Sequence, residues 1–102
     1  VGLVVMTQGP DGAIGRTRSA RAAVAGHRID IVDAVGAGDT VTGTLLAQLS
    51  GKGLTDKSAI SELSETEIAE LLTFSMGAAA VNCTRAGCNP PTPEETRAFL
   101  GL

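Results

Sequence analysis

At 102 residues, 43% hydrophobic and with a net charge of −3, the chain has apolar material for a core. It has no basic stripe to neutralise nucleic-acid phosphates, which argues against a nucleic-acid partner. Two cysteines, Cys83 and Cys88, are too few to staple a secreted scaffold and lack companion ligands for zinc, so reduced thiols in a cytoplasmic protein are the simpler reading.

The chain opens on Val1-Gly2-Leu3-Val4-Val5-Met6, an apolar run too short for a membrane span or a secretory h-region. Residues 3–7 read as a buried strand that ends at the turn signal Thr7-Gln8-Gly9-Pro10-Asp11-Gly12. That abrupt apolar start, with an aromatic content of only 2%, predicts part of a larger domain rather than a complete protein. Residues 13–18 and 22–29 can pair as a hairpin with Arg16, Arg18 and Arg21 near its outer end, either as a solvated tip or as phosphate ligands. His27 has no acid or nucleophile pattern beside it and reads as a surface residue.

Residues 29–32 lead into Asp33-Ala34-Val35-Gly36-Ala37-Gly38-Asp39-Thr40, which opens a helix predicted over about 37–50. Val41, Leu45 and Leu49 recur at i, i+4, i+8 with Leu46 beside them, which predicts one buried face. Gly51-Lys52-Gly53 stops the helix, and residues 54–63 read as a polar surface excursion with at most a short helical turn. Ser64 and Glu67 form a capping-box pattern before the next helix. Its positions Ile68, Leu71, Leu72, Ser75, Ala78, Ala79 and Asn82 follow helical spacing. The small residues Gly77-Ala78-Ala79-Ala80 require close packing, against a neighbouring element or against a flat ligand. A loop covers residues 84–91, and Thr92-Pro93-Glu94-Glu95 starts a last short helix with Pro at its first position.

The glycine turn carries the chemistry. Unpaired N–H groups at a helix start, aided by the dipole, form a site for an anion, usually phosphate. Asp39 is unusual there, because a carboxylate repels phosphate unless it has work to do, such as removing a proton from the attacking group. A dinucleotide-binding turn needs a third glycine where Val41 stands, and a Walker A loop needs a lysine much closer than Lys52. A plain strand-to-helix link is the remaining alternative.

The segment around Gly36-Ala37-Gly38-Asp39 resembles the C-terminal signature of the PfkB family of carbohydrate kinases, which have the ribokinase-like fold. Upstream, Thr7-x-Gly9-x-x-Gly12 is similar to the family's nucleotide-binding turn. Downstream, Ala78-Ala79-Ala80 through Thr84-Arg85-x-Gly87 is similar to its adenine-side helix and cation loop. Together with Asn82-Cys83-Thr84-Arg85 and Asn89-Pro90-Pro91, the signature most resembles bacterial fructokinases. Ala34, Val41 and Thr44 depart from the family's usual small hydroxyl residue, phenylalanine and small residue at those positions.

The resemblance implies an α/β fold, with residues 1–102 the C-terminal ATP-binding and catalytic part of a three-layer α/β/α sandwich. It implies ATP-dependent phosphorylation of a sugar hydroxymethyl group, fructose first, with ribose, 2-keto-3-deoxygluconate, a nucleoside or a non-catalytic binding role as alternatives. Asp39 would be the general base and Gly36, Ala37 and Gly38 the anion hole. Thr7, Gly9, Gly12, Gly38 and Met76 would bind the nucleotide, although a core role for Met76 reads equally well from the residues. Asp33, Val35, Asn82, Arg85, Gly87 and Pro91 would hold a monovalent cation such as K⁺, mainly through carbonyl oxygens. Mg²⁺ and the sugar would be held largely by upstream residues outside this chain, in a full-length protein that forms a homodimer.

Overall fold

The computed structural model describes residues 2–27 and 31–102. Three short strands come first: β1 (Val4–Thr7), β2 (Ala13–Arg16) and β3 (Arg21–Val24). They form an antiparallel sheet in the order β1-β2-β3, with Met6 opposite Ile14 and Gly15 opposite Ala22. A 3-10 turn at Gly9–Asp11 joins the first two strands. Four helices follow: α1 (Ala37–Gly51), α2 (Lys57–Ser61), α3 (Glu65–Cys83) and α4 (Pro93–Leu100).

Helix α3 is the centre of the packing. It lies against β2 and β3 on one side and against α1 and α4 on its others. Ile68, Leu71 and Leu72 are at most 1% exposed, so each contributes about 1.5–3 kcal/mol of apolar burial. Gly15 lets the helix approach the sheet, since a Cβ there would lie 2.6 Å from Ile68 and 3.1 Å from Leu72. Gly77 does the same for α4, where a Cβ would meet the Leu100 methyl groups at 2.9 Å. The small half of α3 is therefore explained partly by a neighbouring helix. Between α1 and α3, Gln48 Nε2 donates to the Leu71 carbonyl at 3.1 Å and to Ser75 Oγ at 2.9 Å.

Several expectations change on the structure. The opening strand is buried on one face only: Val5 packs on the core, whereas Val4 and Met6 are more than half exposed, because α3 covers only the other side of the sheet. The hairpin strands are shorter than expected, and of the expected lead-in at residues 29–32, residues 29 and 30 lie outside the described residues. Val41 and Leu49 are buried as expected, yet Leu46 is 60% exposed, since it points away from the face that meets α3. The 54–63 segment is more than an excursion. Leu63 is 3% exposed and belongs to the core, with Leu54 and Ile60 packed against it. His27 is half-buried, its ring edge-on to Phe99 at 5.1 Å. Among the described residues no helix is long and apolar enough to cross a membrane.

Candidate functional site

Helix α1 starts without a side-chain cap. Its first flanking residue, Gly36, has φ 81°, in the left-handed region. A Cβ at Gly36 would overlap the Cys88 thiol, so both backbone and packing demand glycine there. The Gly36 carbonyl accepts from the Thr40 N–H and from the Thr40 hydroxyl, each at 2.8 Å. The Ala37 N–H is turned back onto the Ala34 carbonyl at 3.2 Å, so one of the expected anion-hole donors is occupied within the turn. The N–H groups of Gly38 and Asp39 meet no acceptor among the described residues, at the positive end of a 15-residue helix.

Two side chains brace the turn from beneath. Asp33 Oδ1 accepts the Val35 N–H at 2.9 Å, and Asp33 Oδ2 accepts the Gly87 N–H at 3.0 Å. Asn82, fully buried near the end of α3, donates from Nδ2 to the Val35 carbonyl at 2.8 Å and accepts the Asn89 N–H at Oδ1 at 2.9 Å. Both polar groups of Val35 are thus held by side chains, immediately before Gly36. The same two side chains tie the turn to the 84–91 loop. Arg85 secures that loop, its guanidinium donating to the Asn89 and Pro90 carbonyls at 3.3 and 3.4 Å and pairing with Glu95 of α4. The backbone N–H groups of Val35 and then Gly87 hold the Asp33 carboxyl below its ordinary range. Burial, followed by the Asp33 charge, pushes the nearby Cys83 thiol up.

A cleft opens on each side of the α1 start. The first, of 280 Å³, brings together Thr7, Gly9, Gly38 and Met76, with Ala79 and Ala80 as part of its apolar wall. These include four of the five expected nucleotide residues. Gly12 is elsewhere: it is buried with φ 111°, and a Cβ there would overlap the Val24 carbonyl, so its glycine serves the hairpin. Met76 is 7% exposed and belongs to the core while also facing this cleft. His27 and Cys83 line it too, a placement that no motif in the sequence signals.

The second cleft, of 690 Å³, runs between α1, α3 and α4 and is reached from Asp39. Thr44, Phe74, Cys88, Pro91 and Arg97 line it. Asp39 is exposed and makes no ion pair among the described residues. The glycine turn therefore stands between an apolar cleft with glycine edges and a cleft whose rim bears the Asp39 carboxylate. Of the expected cation residues, Asp33, Val35, Asn82, Arg85 and Gly87 are linked by hydrogen bonds, and Pro91 lies on the second cleft. Among the described residues no three His, Cys, Asp or Glu side chains cluster as a metal site.

The chain has relatives among known proteins. The chain is 41% identical to a fructokinase of Rhizobium leguminosarum bv. trifolii over 63 residues, 62% of this chain and 19% of that protein. It is 33% identical to a fructokinase of Solanum tuberosum over 100 residues, 98% of this chain and 30% of the relative. It spans less than a third of the length of either. Its structure is similar to that of a Vibrio cholerae fructokinase crystallised with fructose, ADP and calcium, with TM-score 0.73 and 28% identity over 97% of this chain and 30% of that one. The fold is accordingly the α/β, ribokinase-like one. The family model described as pfkB family carbohydrate kinase matches residues 1–95, and with the glycine turn and its two clefts in place the chain belongs to that family.

Proposed function

We propose that residues 1–102 are the C-terminal ATP-binding and catalytic part of a sugar kinase that phosphorylates a hydroxymethyl group, with fructose as the leading acceptor. The single observation that carries this reading is the uncapped start of α1, where the Gly38 and Asp39 N–H groups meet no acceptor among the described residues, beside an exposed carboxylate. The first cleft fits a nucleotide. Gly9 and Gly38 leave open space where a Cβ would sit, and the cleft's apolar wall suits a flat base. Its 280 Å³ lies near the lower end of ligand pockets, about 300 Å³ and upward, which suits the nucleoside part of ATP.

ATP supplies the phosphoryl group when bound, with Mg²⁺ held largely by residues outside this chain. The α1 start orients the phosphoryl oxygens through the Gly38 and Asp39 N–H groups and the helix dipole, with Gly36 setting the turn. Asp39 receives the proton of the attacking hydroxyl, arriving from the second cleft, late in the transfer as the oxygen bonds to phosphorus. Catalysis of this type consists mainly of positioning and electrostatics. The two free thiols accord with a cytoplasmic enzyme, and the family resemblance implies a homodimer.

The fructokinase names of the relatives support fructose, while ribose, 2-keto-3-deoxygluconate and nucleosides remain acceptors to be compared directly. The test is a coupled ADP-release assay on the complete polypeptide with a panel of these acceptors. Fructose-dependent release above every other acceptor is expected. Nucleotide binding without acceptor-dependent release from any of them would instead favour a non-catalytic binding module.

A further inference from the structure

The first cleft holds a side chain to which neither the turn motifs nor the resemblance gives a role. Along α3 its wall is Met76, Ala79, Ala80 and Cys83, at i, i+3, i+4 and i+7. One helix face thus supplies about 10 Å of largely apolar surface. Such a wall covers the face of a flat base and leaves the polar edge of the base to be met by other groups. Of the side chains lining the cleft, only Thr7, His27 and Cys83 can donate a hydrogen bond. Thr7 ends β1 beside the glycine turn, and Cys83 offers only a weak S–H donor. An imidazole differs from both, since its neutral form presents a donor and an acceptor on one rigid ring.

His27 reaches the cleft because two stretches of backbone touch. A Cβ on Gly26 would overlap the Pro10 carbonyl, as one on Gly12 would overlap the Val24 carbonyl. These two glycines let the chain leaving β3 lie directly on the turn after β1, which carries residue 27 to the cleft edge with Gly9 and Pro10. From α4, Phe99 meets the half-buried imidazole edge-on, with ring centroids 5.1 Å apart and planes at 70°. That contact holds the plane of the ring. No other described residue bonds to its nitrogens.

We propose that His27 binds the nucleotide: its imidazole hydrogen-bonds the polar edge of the base and orients the base against Met76, Ala79 and Ala80. The proposal rests on the nucleotide reading of the first cleft and names the residue that fixes the base there. A surface histidine that merely packs on Phe99 would share the ring contact but would not answer to the nucleotide.

The test titrates the complete protein, ¹⁵N-labelled at histidine, with ATP and Mg²⁺ and separately with inorganic tripolyphosphate and Mg²⁺. The His27 ring signals are assigned through their contact with Phe99. ATP should shift the His27 ring-nitrogen signals, and tripolyphosphate, which carries no base, should leave them in place. His27→Phe keeps an aromatic ring against Phe99 and removes both nitrogens. Its ATP affinity, measured by calorimetry, should fall about threefold to tenfold through the loss of one hydrogen bond, with the melting temperature unmoved.

Saturation with ATP while the His27 ring signals stay in place overturns the proposal. So does a His27→Phe protein that binds ATP as tightly as the wild type, or an equal shift with tripolyphosphate. If His27→Phe fails to fold, the wild-type titration decides alone. The Met76 methyl signal, followed in the same titration, separates the two readings. If ATP saturates the protein without moving Met76, the base lies outside the first cleft and the nucleotide reading fails. If Met76 moves and His27 does not, only the role of His27 fails.

Discussion

Helices α1 and α3 begin in opposite ways. At the start of α3 the Ser64 hydroxyl accepts the Glu67 N–H at 3.1 Å and the Glu67 carboxylate accepts the Ser64 N–H at 3.0 Å. Helix α4 repeats this with Thr92 and Glu95. Helix α1 begins from a left-handed glycine with no side-chain cap, which costs roughly a few tenths of a kcal/mol against a Ser or Thr cap. The chain closes the starts of α3 and α4 with capping boxes and that of α2 with the Asp56 side chain, and leaves only the start of α1 among the described helices without a side-chain cap. The open place is also where an exposed carboxylate and two clefts meet. The difference separates helix starts that hold the fold from one that holds a ligand.

The largest effect expected from breaking this contrast is at Asp39. In the complete protein Asp39→Asn should retain nucleotide binding, measured by calorimetry, while turnover falls by about two to four orders of magnitude. Near-normal turnover would remove the base assignment. The two glycines of the turn should then part company. Gly36→Ala forces a side chain into the left-handed region and against Cys88, and should cost about 1–3 kcal/mol in chemical denaturation. Gly38→Ala meets open space, so stability should hold or rise by up to about 1 kcal/mol while nucleotide affinity drops. Equal loss of stability at both positions would mean that Gly38 is structural.

At the capped starts the expected effects are smaller and confined to stability. Ser64→Ala should cost about 0.5–2 kcal/mol with the rate per folded molecule unchanged. Glu67 and Glu95 are held below the ordinary glutamate range, Glu67 first by the Ser64 N–H and Glu95 first by the Thr92 N–H. Because the folded-state values are depressed, their contribution is present above the ordinary range and is lost as pH falls through the lowered values. A melting curve taken from neutral pH down into that acidic window should fall less steeply in Ser64→Ala, where part of the linkage is gone. An unchanged slope would count against the capping box as a source of acid sensitivity.

Much of the contrast was legible in the residues. Ser64 with Glu67, and Thr92 with Pro93 and Glu95, specify capped starts by local chemistry alone, and both form as expected. The spacing of Ile68, Leu71, Leu72 and Ser75 fixed the buried face of α3 for the same local reason. What the residues could not convey depends on partners distant in the chain. Leu63 is buried, although it ends a polar stretch, because it joins the core cluster that holds Val41, Leu49 and Ile68. Leu46 shares the helical pattern of its neighbours, yet whether it is covered depends on what lies opposite. Gly12 and Gly9 look alike in sequence, and only the Val24 carbonyl shows that one belongs to the hairpin and the other to the cleft edge. Asn82 and Asp33 read as ligands through the family resemblance; their hydrogen bonds to Val35 needed the loop and turn to be seen together.

The account rests most heavily on the α1 start being the one that receives phosphate. The direct measurement is an amide NMR titration of the ¹⁵N-labelled complete protein with ATP and Mg²⁺, following the first-turn N–H signals of α1, α3 and α4. The Gly38 and Asp39 amides should move markedly while those of Glu67 and Glu95, already bonded to Ser64 and Thr92, stay in place. Saturation of the protein with nucleotide while Gly38 and Asp39 remain unmoved would contradict the account.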